Sequence, residues 1–142
     1  MREPQRRSDC PISYALDLFG DKWSLLVMRD ILFREKAHYR EFLASEERIA
    51  TNILADRLSR LEAAGLISKT DEEPRSGKQA YVVTRKGQDL IPVLLEMMLW
   101  SARYDPHTGA PAVLIAELKK DRAKVVRGIR RAGGVEPFLR TL

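Results

Sequence analysis

The side chains best suited to recognising another molecule share one face of a helix that the sequence predicts at residues 51–64. Leucines at i, i+4 and i+7 form its apolar stripe: Leu54, Leu58 and Leu61. The opposite face carries small or polar residues: Thr51, Asn52, Ala55, Asp56 and Ser59. An asparagine amide can pair bidentately with adenine, and a carboxylate can accept from the amino group of cytosine. This face therefore has the chemistry to read base edges in DNA, and a solvated face is the alternative.

Five basic side chains around this helix are suited to contacts with DNA phosphates. They are Arg40 ahead of the helix, Arg57 and Arg60 on it, and Arg75 and Lys78 in the segment after it. Phosphate contacts set affinity and register, and they carry little sequence information directly. Asp56 is less suited to a place beside phosphate, so an i,i+4 ion pair with Arg60 is the alternative for that residue.

Cys10 is the sequence's one cysteine, and it comes immediately before Pro11 at the predicted start of a helix. A helix N-terminus favours the thiolate and raises thiol reactivity, and Arg6 and Arg7 add positive charge nearby. Cys10 is therefore a candidate redox or electrophile sensor, while a small capping or core residue is the alternative. With no second cysteine, a disulfide could join only two subunits, or the chain and a small thiol.

The remaining residues give no recognisable catalytic, cofactor-binding or metal-binding motif, so enzyme activity is not expected. His38 and His107 are isolated from each other and from further histidine or cysteine ligands. Met97, Met98 and Trp100 could line a small-molecule cavity at a subunit interface, or they could simply fill the core of that interface.

The composition suits a cytoplasmic protein with a polyanionic partner. Lysine and arginine number 25 against 20 acidic residues, which gives a net charge of +5. The N-terminus is polar and has no apolar core for a signal peptide, and no apolar run approaches the ~20 residues that span a bilayer. We therefore expect one compact domain with no membrane association.

Apolar periodicity predicts the elements that position these side chains. A first helix begins at Pro11 and ends at Gly20, and a second is capped by Asp21; both are expected to pack around one core. Their apolar stripes are formed by Ile12, Ala15, Leu16 and Phe19, and by Trp23, Leu26, Val27 and Ile31. A short third helix is predicted at 39–44, and Gly65 provides a left-handed stop for the fourth.

After Gly65 the pattern changes to strand formers, which predict a β-hairpin with a wing at residues 69–84. Thr84 then caps a long helix that extends to Tyr104. A last helix at 112–131 carries an apolar stripe and seven basic residues between Lys119 and Arg131. We expect this stripe to dock on the long helix with the basic residues outward, and we favour a role in dimerisation over a solvated face or a phosphate contact.

Short helices joined by a tight turn and followed by a hairpin are typical of the winged helix-turn-helix. The predicted fold class is therefore mainly α with a small β-hairpin (α+β), with flanking dimerisation helices. We divide the chain into a flexible basic arm at 1–9, a DNA-binding and dimerisation domain at 10–104, and a C-terminal helical extension at 105–142.

An ordered set of residues makes the chain resemble the HxlR-type regulators, which are related to the MarR group. Its first part is Cys10-Pro11, Ala15-Leu16, Gly20-Asp21-Lys22-Trp23, Leu25-Leu26, Arg29-Asp30, Phe42, Ile49-Ala50, Leu54, Arg57-Leu58, Leu61-Glu62 and Gly65-Leu66-Ile67. The set ends with Tyr81, Thr84, Lys86-Gly87, Leu90, Pro92-Val93-Leu94 and Trp100. The chain departs from the family pattern at Asp21, in the wing, and beyond Pro106.

The resemblance implies a homodimer that binds double-stranded DNA, with the N-terminal and long C-terminal helices forming the dimer. Some relatives use a cysteine at the position of Cys10 for an inter-subunit disulfide. The primary hypothesis is a homodimeric, sequence-specific transcription regulator, a repressor, acting on a pseudo-palindromic operator. The alternatives are a sensor of oxidants, electrophiles or a small ligand that releases DNA, and a winged-helix adaptor that binds other proteins.

Overall fold

The computed structural model describes residues 6–73 and 78–142, without the side chains of 71–73 and 78. Within these ranges the elements are α1 (Pro11–Phe19), α2 (Ser24–Arg34), α3 (Tyr39–Leu43), α4 (Thr51–Ala63), β1 (Ile67–Glu73), β2 (Lys78–Val83), α5 (Arg85–Gln88), α6 (Ile91–Tyr104), α7 (Ala112–Lys120), α8 (Arg122–Ala132) and α9 (Val135–Leu139). The predicted phosphate contact Arg75 and most of the predicted basic arm at 1–9 lie outside the described residues. The predicted class, mainly helical with one two-stranded hairpin, is confirmed.

One hydrophobic core joins α2, α4, the hairpin and α6. The predicted stripe of α4 is confirmed, because Leu54, Leu58 and Leu61 are 0%, 2% and 1% exposed. Burial of the three leucines against α2 and β1 fixes the rotation of α4 about its axis. As a result, the polar side of α4 must face away from the core.

The apolar stripes of the first two helices differ in burial. In α2, Val27 and Ile31 are buried as expected. The nine-residue α1 has no buried residue, and Ile12 and Leu16 are 69% and 51% exposed. The expectation that α1 packs around the core therefore holds for Phe19, which lies against it, but not for Ile12 and Leu16. Exposed apolar side chains that share one helix face are typical of an interaction surface.

The wing is an antiparallel hairpin in which Ile67 pairs with Val83. Its base is fastened to the end of α4. The Thr84 hydroxyl donates to the Gly65 carbonyl oxygen at 2.6 Å, and Lys86 Nζ donates to the Ala64 carbonyl oxygen at 2.7 Å. Gly65 has φ +78°, the left-handed conformation predicted for it. These contacts hold the wing at a fixed angle to α4.

The single helix predicted from Thr84 to Tyr104 is divided into α5 and α6 in the structure. Thr84 caps α5 as predicted, since its Oγ1 accepts from the Gly87 N–H at 3.1 Å. The chain then turns, and Pro92 occupies the first turn of α6. Proline has no N–H to donate, and its ring excludes the carbonyl four residues earlier, so the helix cannot continue through this point.

The predicted helix at 112–131 is also divided, into α7 and α8, and α9 was not predicted. Asp121 has φ −160° at the break and accepts from the Lys124 N–H at 3.1 Å, which caps α8. The predicted docking on α6 is confirmed, and α9 packs against α2. The apolar side chains buried in this way are Leu114, Leu118, Val125, Ile129 and Phe138. The apolar stripe of the predicted helix at 112–131 therefore packs against helices of its own chain. The basic residues face outward as expected.

In the part of the chain that the structure describes, no helix combines the length and apolarity that crossing a membrane requires.

Candidate nucleic-acid interface

Helices α3 and α4 form a helix-turn-helix, with a turn at residues 44–50. The predicted base-reading side chains all lie on the exposed side of α4: Thr51, Asn52, Ala55, Asp56 and Ser59. The Tyr39 hydroxyl donates to the Thr51 carbonyl oxygen at 2.8 Å, which fixes the first turn of α4 against α3. One rigid, exposed surface of small and polar groups results.

The N-terminus of α4 has no side-chain cap. Ala50 occupies the cap position, and it provides no side-chain acceptor for the first amide N–H groups of the helix. The amide N–H groups of the first turn therefore have no intrahelical acceptor, and the positive end of the helix dipole points outward. Such an end is suited to a phosphate group.

Arg57 has a structural position that differs from its predicted phosphate contact. Its Nε donates to Asp21 Oδ2 at 2.8 Å, its Nη1 pairs with Asp56, and its side chain is only 18% exposed. Asp21 also accepts from the backbone N–H groups of Trp23 and Ser24, both at 3.0 Å. The Asp21–Arg57 pair thus clamps α4 to the start of α2, and Asp21 has the capping role expected from the sequence.

Replacement of Asp21 by asparagine is expected to lower the free energy of unfolding at neutral pH by about 1–2 kcal/mol, after allowance for solvent screening. Partial burial raises the pKa of Asp21, but hydrogen bonds from Ser24 and Arg57 outweigh it and lower the pKa from 3.8 to about 2. Since the folded-state pKa is depressed, the stabilisation is complete above pH ~4 and is lost as the pH falls towards 2. Urea unfolding of both proteins between pH 7 and pH 2 measures this difference, and a pH-independent gap would contradict it.

The other predicted phosphate contacts have different surroundings. Arg60 Nε lies 3.0 Å from Asp56 Oδ2, so the i,i+4 pair considered as an alternative for Asp56 is present. The Arg60 side chain is still 60% exposed, and Arg40 is exposed on α3. Lys78 begins β2, and its side chain lies outside the described residues.

A buried carboxylate that the sequence analysis did not single out holds the turn of the helix-turn-helix. Asp30 on α2 is 2% exposed. It accepts from the Ser45 hydroxyl at 2.5 Å, and from Arg29 Nε and Nη2 at 3.1 and 2.9 Å. Lys36 Nζ lies 3.9 Å from the same carboxylate and donates to Ser45 Oγ at 2.6 Å. Asp30 therefore connects α2 directly to the first residues of the turn.

Two bidentate ion pairs flank Asp30 and reach the same turn. Arg29 donates to both carboxylate oxygens of Glu47 at 2.6 and 2.8 Å, and Arg34 donates to those of Glu46 at 2.9 and 2.8 Å. The Arg34 hydrogen bonds lower the pKa of Glu46 to about 2, and those of Arg29 lower the pKa of Glu47. The only sequence signal is charge complementarity between the Arg29-Asp30 segment and Glu46-Glu47, which becomes informative once the helices are known to pack.

Cys10 is exposed at the N-cap of α1. The two arginines expected to add positive charge are themselves paired. Arg6 Nε lies 3.2 Å from Asp9, and Arg7 Nε lies 2.7 Å from Asp17. The thiol is therefore accessible and lies at the predicted helix start, while the arginine charges are matched by acids.

Of the residues considered for a small-molecule cavity, Met97 and Met98 line an open cavity of about 570 Å³, and Trp100 is 69% exposed outside its lining.

His38 Nδ1 lies 2.9 Å from Glu41 at the start of α3, and His107 is exposed in the connector before α7. Neither histidine belongs to a group of three or more potential metal ligands among the described residues.

Known proteins with the same arrangement are transcription regulators. An uncharacterised HTH-type regulator of Synechocystis is 33% identical over 88 residues, which are 62% of this chain and 64% of that protein, just under two thirds of its length. The crystal structure of PA1607, assigned as a transcription factor, has a TM-score of 0.66 at 33% identity and covers 75% of this chain and 74% of its own. The redox regulator HypR in its oxidised form has a TM-score of 0.60 at 26% identity, over 66% and 96% of the two chains.

The HxlR-like helix-turn-helix family matches residues 18–108, which include both helices of the helix-turn-helix, the wing and α6. Most of the C-terminal extension, α7–α9, lies beyond this match. The family and its relatives are DNA-binding regulators and not enzymes. On the matched sequence and on the winged helix-turn-helix geometry, the chain belongs to the HxlR-like helix-turn-helix family of transcriptional regulators.

Proposed function

We propose that this regulator binds a pseudo-palindromic DNA site as a homodimer and represses transcription from it. The observation that carries the proposal is the exposed polar face of α4 beside a wing fastened to the same helix. A winged-helix adaptor for another protein would expose large apolar side chains on this face. Here the exposed residues are small or polar, which favours base edges as the partner.

In this docking, α4 enters the major groove with Thr51 and Asn52 nearest the bases, and Ser59 lies further along the groove. The uncapped N-terminus of α4 takes a phosphate. Arg40 on α3 and Arg60 on α4 are exposed, and they contact the DNA backbone. The wing, with Arg75 and Lys78, reaches the adjacent backbone or minor groove.

The dimer is formed by apolar surfaces that are exposed to solvent in the single chain. Ile12 and Leu16 of α1 are 69% and 51% exposed, and Trp100 and Tyr104 of α6 are 69% and 63% exposed. The Trp100 and Tyr104 rings lie 5.3 Å apart and form one aromatic patch. Pairing these surfaces across a two-fold axis places two copies of α4 on half-sites about one helical turn apart. A dimer on a promoter represses by occupying DNA that the polymerase needs.

The proposal is tested by DNA footprinting and by light scattering of the full-length protein. We expect a protected, pseudo-palindromic site upstream of a target gene and the mass of a dimer on one site. Neutralising several phosphates per subunit implies an affinity that falls about a thousandfold between 50 and 200 mM salt. The site is specific if its protection persists in the presence of competitor DNA in which the site is scrambled and the flanking sequence is unchanged. A monomer in solution, or no site that resists competition, would contradict the proposal.

A second candidate function is redox sensing through Cys10, which the exposed thiol at the start of the unpartnered α1 favours. The redox regulator HypR has the same fold. In the reaction, diamide accepts two electrons and two protons from two Cys10 thiols of a dimer, and an inter-subunit disulfide forms. Because α1 is also proposed to form the dimer, this bond changes the relative position of the two α4 helices.

Diamide treatment is therefore expected to lower DNA affinity by about tenfold, within the usual range of allosteric coupling. The change is reversed by dithiothreitol, and a dimer band appears on non-reducing gels. A Cys10→Ser variant is the control, and it should bind DNA normally before and after diamide. If oxidised wild-type protein carries the disulfide and still binds DNA unchanged, Cys10 is not a sensor.

A further inference from the structure

An open cavity of about 570 Å³ lies between α2, α6, the connector before α7 and the start of α9. Its volume is typical of pockets that bind small organic molecules. Thr108 to Pro111 and the first residues of α9 form one wall, so the C-terminal extension contributes directly to the cavity. Most of that wall lies beyond the residues that match the family.

The floor of the cavity is apolar. Phe33, Leu94, Met97 and Met98 contribute side chains from α2 and α6. Methionine side chains are flexible and polarisable, so they adapt to ligands of different outline. The floor therefore suits an aromatic or branched apolar group.

The arginines that line the cavity have ion-pair partners, whereas the glutamates that line it are weakly paired or unpaired among the described residues. Arg29 and Arg34 both line it, but each guanidinium already holds a glutamate of the turn through two hydrogen bonds. Glu35 also lines the cavity, and its carboxylate has no hydrogen bond or ion pair with any residue that the structure describes. Glu136, at the start of α9, also lines the cavity; its carboxylate lies 3.6 Å from Arg140, and its side chain is 85% exposed. The unneutralised charge at the cavity is negative.

Glu35 is held at the cavity by the backbone around it. It is the C-cap of α2, with φ +57°. Its side chain lies against the start of α9, where a Cβ added to Gly134 would be 3.2 Å from Glu35 Cγ. The side chain is thus placed where α2 meets the start of α9, on the cavity that Glu136 also lines.

We propose that this cavity is a binding site for a lipophilic organic cation, with the apolar group on the methionine-lined floor and the positive charge between Glu35 and Glu136. The arginines of its wall also hold the turn that precedes α4. Occupancy therefore acts on the DNA-facing surface through the Arg29–Glu47 and Arg34–Glu46 pairs. This consequence rests on the proposed function, whereas binding of the cation does not.

Binding is tested by calorimetry of the full-length protein with tetraphenylphosphonium, and with tetraphenylborate, an anion of the same shape. We expect one phosphonium bound per chain and borate binding at least about tenfold weaker. The variants Glu35→Gln and Glu136→Gln should each weaken phosphonium binding about fivefold, as for a partly exposed ion pair. Glu117→Gln is the control, because Glu117 lies on α7 outside the cavity lining, and it should leave binding unchanged.

Equal affinity for the two ions, or unchanged affinity in both cavity variants, would overturn the charge assignment. Absence of phosphonium binding would overturn the site, and that is the result expected if the second copy of a dimer fills the groove. DNA titrations at increasing phosphonium concentrations test the coupling separately: saturated wild type should lose at least about fivefold in DNA affinity, and Glu35→Gln should need about fivefold more phosphonium for the same loss. An unchanged DNA affinity with phosphonium bound would overturn the coupling, and a protein that binds no DNA site refutes the proposed function alone.

Discussion

Replacement of Asn52 by glutamate is expected to lower the affinity for the specific DNA site by about a hundredfold or more, with little change in folding or dimer mass. Asn52 is exposed in the first turn of α4, where a helix-turn-helix places its base contacts. The change removes the amide that can pair bidentately with adenine, a contact worth about 1–3 kcal/mol. It also introduces a carboxylate close to DNA phosphates, where the repulsion adds to the loss.

Binding isotherms on the footprinted site measure this effect, with thermal unfolding to show that the variant folds. Ala116→Glu is the matched control, because it adds the same negative charge to an exposed position on α7, away from the helix-turn-helix. It should reduce affinity by less than about threefold, through long-range charge that salt screens. Asn52→Ala isolates the lost hydrogen bonds from the repulsion. If Asn52→Glu binds as Ala116→Glu does, α4 does not read DNA with this face.

The position of the exposed polar face of α4 depends on the contacts that hold this helix against its neighbours. Arg57 fastens α4 to the start of α2, and Tyr39 fastens its first turn to α3. Lys86 at the start of α5, directly after the wing, holds this segment to the end of α4. Each attachment joins α4 to a different element, so its position is determined at both ends. The small polar side chains can then be presented at fixed distances, which base recognition requires.

The part of this surface that the sequence could predict is the part set by local periodicity. The spacing of Leu54, Leu58 and Leu61 determines which side of α4 is buried, and the polar side follows from it. Gly65 and Thr84 mark the two ends of the hairpin through their own backbone and capping preferences. These features depend on residues a few positions apart, so they can be recognised without knowledge of the fold.

The remaining features depend on partners that are far apart in the chain. Arg57 has the sequence position of a phosphate contact, and only the packing of α4 on α2 brings it to Asp21, 36 residues earlier. The apolar stripe of α1 predicts a helix correctly, but it does not indicate whether the covering surface belongs to the same chain. Asp30 and Ser45 are 15 residues apart, and neither has a local motif that indicates their contact.

Replacement of Asp30 by asparagine is expected to lower the free energy of unfolding by about 3 kcal/mol, because breaking a buried charge network leaves uncompensated groups. Asp30 is 2% exposed and accepts hydrogen bonds from Arg29 and Ser45. Asparagine has nearly the same shape but no charge, so Arg29 and Lys36 lose the carboxylate they face. Ser45→Ala removes one donor to the carboxylate and should cost about 1–2 kcal/mol. Urea unfolding at fixed protein concentration measures both, since a dimer's stability depends on concentration.

Asp89→Asn is the matched control, because Asp89 also pairs with an arginine, Arg130, at 3.1 Å, but at the surface. Its carboxylate is 66% exposed, so solvent screening limits the expected loss to less than about 1 kcal/mol. The Asp30 variant should in addition lose DNA affinity under conditions where it remains folded, because the turn before α4 is held less firmly. If the Asp30 and Asp89 variants were equally stable, the position of the turn would have to be maintained by the Arg29–Glu47 and Arg34–Glu46 pairs alone.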